Sequence, residues 1–174
     1  MEENIDNIDI QNSNKVEERP VFLKVLCILS YIGIGFTIVP NLVRLLIGPY
    51  SEEEMLQQKV LMTQLIEKME EIGSDFGVTS YKKMIVMTEN LNTHFYTSTL
   101  LIIVGALIGL YGVISMWKRK KMGFHFYIVY SILAIAQIYF FVSPVYIPTF
   151  ILVWNVFFSG LFVFMYSRNL KWMK

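Results

Sequence analysis

After Glu89 this chain contains no Asp or Glu; its last 85 residues carry seven charges, all positive, at Lys118, Arg119, Lys120, Lys121, Arg168, Lys171 and Lys174. Long apolar runs lie between those basic clusters. An ionised side chain at the centre of a bilayer costs about 2.5–3.5 kcal/mol even on the lenient insertion scale. A segment stripped of charge and edged by Lys and Arg is therefore built for lipid. With 55% hydrophobic and 15% aromatic residues, a soluble fold would have too little polar surface to cover its core. The sequence predicts an all-α integral membrane protein: a four-helix bundle with an amphipathic helical hairpin, outside the cytoplasm, between spans 1 and 2.

About 20 apolar residues suffice to cross a hydrocarbon core of about 30 Å. On that measure the spans fall at 21–48, 94–117, 123–143 and 147–167. Residues 1–20, acidic and Asn-rich, are expected to be a disordered tail. They lack the basic start of a signal peptide. Residues 118–122 form a short basic loop, and 168–174 a basic tail. Lys and Arg concentrate on the side of the termini and the 118–122 loop, which places that side in the cytoplasm. The bias toward Ile, Asn, Lys, Tyr and Phe points to an AT-rich bacterial genome and so to a cell inner membrane.

The segment 49–93 differs from the spans. Ser51 followed by Glu54 is a capping box that starts a helix. Met55, Met62, Met69 and Phe76 recur every seven residues. Leu65 and Ile72 fall three residues after two of them. This pattern predicts a helix over 51–72, a break at Gly73-Ser74 and a second helix from about 79 to 91. The stripe Met55, Met62, Leu65, Met69 and Ile72 implies burial, either of the hairpin on itself or bundle, or against a docked partner. Thioethers are soft metal ligands. Seven helical residues span about 10.5 Å, so one ion cannot bridge successive methionines.

In span 2, Gly105, Gly109 and Gly112 lie along one face that lets another helix approach closely. That face serves packing within the bundle or, alternatively, a homo-oligomer. Gln137 and Asn155 are the amides deep in the last two spans. Their similar depth predicts a hydrogen-bonded intramembrane pair, with contact to a polar ligand as the alternative. His94 and His125 fall at opposite membrane faces and cannot share a metal. Cys27, the single cysteine, sits in an apolar run as a small buried hydrophobe. No nucleotide, metalloprotease or serine-hydrolase motif occurs. No surface is basic enough for nucleic acid. No cofactor is implied.

The stretch Gly112-Val-Ile-Ser-Met-Trp-Lys-Arg-Lys-Lys-Met-Gly-Phe-His-Phe-Tyr127 resembles the loop of small, uncharacterised four-span bacterial inner-membrane proteins. In these a Trp, a basic cluster and a Gly-aromatic pair join the middle spans. The resemblance implies the four-span architecture and no catalytic residue. The expected function is a non-enzymatic scaffold, accessory or regulatory subunit working through the outer hairpin. Its partners are the lipid bilayer and a membrane or extracytoplasmic protein. The alternative is a small transporter or channel subunit working as an oligomer, which needs a polar-lined cavity reaching mid-membrane. A lipid-modifying enzyme ranks third.

Overall fold

A computed structural model describes residues 19–174. The tail expected to be disordered lies, except for its last two residues, outside them. In chain order the helices are α1 (Val21–Ile47), α2 (Glu52–Glu71), α3 (Asp75–Thr93), α4 (Phe95–Trp117), α5 (Met122–Ala136) and α6 (Thr149–Ser167). Short 3-10 turns occupy Gln137–Phe140, Pro144–Tyr146 and Leu170–Trp172. No strand occurs among the described residues. Four helices are long and apolar enough to cross a membrane: α1, α4, α5 with its 3-10 extension to Phe140, and α6. The chain is thus a helical bundle of multi-pass type.

The spans pack in the order α1, α4, α5, α6, with a lighter contact closing α6 back onto α1. The α4 helix, flanked on two sides, is the most buried span. Its small residues make that position tenable. Ala106 and Val113 are buried in the core with Leu23, Leu26 and Cys27 of α1. The opposite extreme is α6, exposed at every position from Val153 to Phe158.

Pro40 inside α1 removes the N–H that would bond the Phe36 carbonyl. Beside it the Asn41 amide donates to the Thr37 carbonyl at 2.7 Å, and the Thr37 hydroxyl to the Gly33 carbonyl at 3.1 Å. The helix ends at Gly48, whose φ of 98° suits glycine.

The expected capping box forms. The Ser51 N–H donates to Glu54 Oε2 at 2.8 Å, and the Glu54 N–H to the Ser51 hydroxyl at 3.3 Å. These bonds hold the Glu54 carboxyl below the usual carboxylate range. A depressed folded pKa means the box is intact above the ordinary carboxylate pKa and is lost as pH falls through the folded value. The break at Gly73 is real (φ 69°). The second helix, however, starts at Asp75, about one turn earlier than the sequence suggested. Ser74 is a second cap, its hydroxyl accepting from the Gly77 N–H at 3.2 Å. Phe76 therefore belongs to the first turn of α3, not to the stripe of α2.

The basic end is more ordered than a loop and a tail would be. Arg119 adopts a left-handed turn with φ 64°. The Lys121 N–H donates to the Lys174 carbonyl at 3.0 Å, and the Lys174 N–H to the Arg119 carbonyl at 2.6 Å. The segment 168–174 folds onto the 118–122 loop because Met173 is an apolar plug, 2% exposed. Arg19 stacks 3.7 Å from the centre of the Trp117 ring and donates to the Trp117 carbonyl at 2.9 Å. Arg119 stacks on Trp172 at 4.5 Å. Tyr166 is fully buried, and its hydroxyl donates to Ser30 at 2.9 Å.

Candidate functional site: the helical hairpin and its junction with the spans

Helices α2 and α3 pack along their length, and α3 also meets α4 and the Pro144–Tyr146 turn. The hairpin is thus seated on the end of the bundle away from the basic loop. Three contacts fasten it. Lys59 and Glu89 form an ion pair across the hairpin near its base. Lys82 and Glu70 pair at 3.5 Å near its tip. The Asn92 side chain accepts from the Tyr50 N–H at 2.8 Å and donates to the Tyr50 carbonyl at 3.0 Å. That two-way bond ties the chain leaving α1 to the chain entering α4.

The stripe on α2 divides in two. Met55, Met62 and Met69 are half-buried on the side facing α3, and with them lies Ile66, 7% exposed. Leu65 and Ile72 do not join them: they are 36% and 70% exposed. The true packing line is Met55, Gln58, Met62, Ile66 and Met69, stepping by three and four residues as a straight helix requires. Ile66 was legible as the residue four after Met62; the strict seven-residue repeat favours its neighbour instead. Leu61, Leu65 and Ile72 form a separate flank, about 80° around the helix at 100° per residue. Phe76, also exposed, follows beyond the turn.

Where the hairpin meets the spans, a cavity of about 310 Å³ opens between α1, α2, α3 and α4. Arg44, Asn41, Gln58 and Thr99 supply part of its polar lining, and Met62, Phe95 and Ile102 part of its apolar lining. The Arg44 guanidinium lies 4.8 Å from the Tyr50 ring centre and 5.4 Å from that of Phe95.

The glycines of α4 face α5. A Cβ on Gly109 would lie 2.6 Å from Tyr130 Cγ; one on Gly112 would lie 2.9 Å from the Gly123 carbonyl oxygen. At Gly105 it would meet Leu133 Cβ at 4.0 Å, an ordinary contact. Gly123, not singled out from the sequence, is the reciprocal half of this crossing: a Cβ there would lie 2.6 Å from the Met116 nitrogen. Its signal was the Gly-aromatic pair after the basic cluster. This seam is filled from within the chain, so it is not an open face for a second copy.

Gln137 and Asn155 do not bond to each other among the described residues. The Asn155 amide donates instead to the Ile151 carbonyl of its own helix at 2.9 Å. Gln137 sits where α5 tightens into a 3-10 turn, which shifts its rotational phase away from a regular helix. Asn155 lines a groove of about 500 Å³ between α1, α5 and α6, together with Ser30, Ser131 and Ser159. The groove runs beside the exposed stretch Val153–Phe158 of α6. No Asp, Glu, Lys, Arg or His lines it. His94 sits between α3 and α4 without a side-chain cap, its ring 5.9 Å from that of Phe141, and His125 lies near the basic loop at the other end. Among the described residues no cluster of three or more His, Cys, Asp or Glu is placed to hold a metal ion. No protein-family model, curated protein or solved structure matches this chain.

Proposed function

We propose that the protein is a non-enzymatic accessory or regulatory subunit of a bacterial inner membrane, with its termini in the cytoplasm and its hairpin docking a partner outside. The observation that supports this reading is the flank Leu61, Leu65 and Ile72. These apolar side chains stand exposed on a helix of mixed polarity, outside the apolar spans, on a scaffold fastened at base and tip. A contiguous exposed apolar patch rimmed by charges is the common signature of an interaction surface. The partner is a membrane protein or an extracytoplasmic protein presenting an apolar helix face.

The test is co-purification of the full chain in mild detergent, with the captured proteins identified by mass spectrometry. Leu61→Glu with Ile72→Glu is expected to cut recovery of a specific partner at least tenfold at unchanged membrane abundance. Undiminished recovery would overturn the docking reading. Orientation is read in the same cells, in a Cys27→Ala background: cysteine at Lys83 should label from outside and cysteine at Lys120 should not.

The second reading, a small transporter or channel subunit, draws support from the α1/α5/α6 groove, because it brings hydroxyls and an amide toward mid-membrane. The lack of any acidic, basic or histidine side chain there argues for a neutral or amphipathic ligand over proton or ion coupling. Ser131→Val altering uptake while leaving partner capture intact would favour this reading.

A further inference from the structure

The junction cavity holds an uncompensated cation. Arg44 forms no ion pair among the described residues, and no carboxylate lines the cavity. The guanidinium is nevertheless held in place, because the Tyr50 and Phe95 rings attract its face. Stacking occupies the face of the guanidinium and leaves its in-plane N–H groups free, which is the arrangement that suits a phosphate oxygen pair. A second group points the same way. Thr99, 4% exposed, lines the cavity with a hydroxyl that makes no hydrogen bond among the described residues. A hydroxyl on the wall of a cavity can donate to an acceptor held there.

Depth selects the ligand. Arg44 lies in the last turn of α1, and Thr99 about 6 Å into α4 at 1.5 Å per residue. Asn41 lies about 9 Å below the end of α1 on the same measure. The cavity therefore starts at the membrane surface, where Phe95 and Arg44 stand, and runs down to Asn41 and Ile102, about 10 Å into α4. A headgroup lying at the bilayer surface meets Arg44 at its own level, with Ile102 as an apolar wall below it. Basic pockets between membrane helices on the cytoplasmic side bind anionic headgroups, and the same charge pairing holds at this end of the bundle.

The geometry points to a site for the phosphate of an anionic lipid headgroup, bound by Arg44 and Thr99 between the hairpin and the spans. This site lies on the packing side of α2 and does not depend on the docking flank. The bound lipid bridges α1, α2 and α4 and so steadies the hairpin on the bundle.

The test uses the full chain in neutral detergent with phosphatidylglycerol or phosphatidylcholine added, read by native mass spectrometry and by thermal stability. Wild type is expected to retain phosphatidylglycerol at least tenfold more tightly than phosphatidylcholine. Arg44→Gln should reduce that preference below twofold, whereas Arg44→Lys, which keeps the charge, should retain part of it. Thr99→Val should weaken retention several-fold, and it carries the test if Arg44→Gln fails to fold. Lys118→Gln with Lys120→Gln and Lys121→Gln should leave the preference intact, because the basic loop lies at the other end of the bundle. Three results would overturn the assignment: equal retention of the two lipids, a preference that survives Arg44→Gln but vanishes in the loop variant, or displacement by inorganic phosphate at equal concentration, which would mean a free anion is the ligand.

Discussion

Gly123→Ala is expected to lower the melting temperature of the detergent-solubilised protein by several degrees, and Gly112→Ala to do nearly as much. The two glycines cross where α4 meets α5, and the atoms a new methyl would strike are backbone: the Gly123 carbonyl oxygen at 2.9 Å from one, the Met116 nitrogen at 2.6 Å from the other. A side chain can rotate away; a helix backbone can yield only by separating the helices. Overpacking costs about 1–3 kcal/mol, occasionally more. Alanine recovers up to about 1 kcal/mol of helix propensity over glycine, which offsets only part of that cost. Gly105→Ala is the internal control. Its methyl would only touch Leu133 Cβ at 4.0 Å, so the propensity gain is unopposed and stability should hold or rise. Gly109→Leu should lose at least as much as Gly123→Ala, since even a Cβ already overlaps Tyr130, while Ile108→Leu should be mild. Thermal melts of these variants in one detergent decide the matter. Equal stability of Gly105→Ala and Gly123→Ala would mean the α4–α5 crossing is looser than the structure has it.

Met62→Glu with Ile66→Glu is expected to open the hairpin without expelling the protein from the membrane. Both residues face α3; a carboxylate at Ile66, 7% exposed, is buried between packed helices, where a charge is costly, while one at position 62 enters the cavity that holds Arg44. The nearby ion pair already commits Lys59 to Glu89. The hairpin rests on one side-chain interface and a few ties, and most helical stability in proteins comes from such packing of an amphipathic face. The spans satisfy their backbone hydrogen bonds internally and need no support from the hairpin. Trypsin should cut the variant at Lys59 and Lys68 at least tenfold faster than wild type, at normal membrane abundance. Leu61→Glu with Ile72→Glu should leave proteolysis unchanged, because those two side chains are 60% and 70% exposed. Equal protection of both variants would mean α2 does not pack through Met62 and Ile66. Loss of the first variant from the membrane would instead make the hairpin part of the fold's core.

By itself the sequence determined the all-helical class, the four helices long and apolar enough to cross a membrane, the capped start of α2 and the break after it. These depend on quantities that each short segment carries alone: summed hydropathy, a serine with a glutamate three residues on, a glycine that tolerates positive φ. Only the tertiary structure decided which side of each helix meets which neighbour. Successive residues turn by about 100°, so a phase error of one residue moves a side chain from interface to surface. That is the difference between Ile66, buried, and Leu65, its neighbour. The same dependence on phase undid the Gln137–Asn155 pair once α5 tightened into its 3-10 turn. It also hid Gly123, whose partner Gly112 is adjacent only after the chain has reversed through the basic loop. Arg44 could be read as a residue near a membrane edge. That it faces a cavity shared with Gln58 and Thr99, from helices far apart in the chain, follows only from how those helices pack.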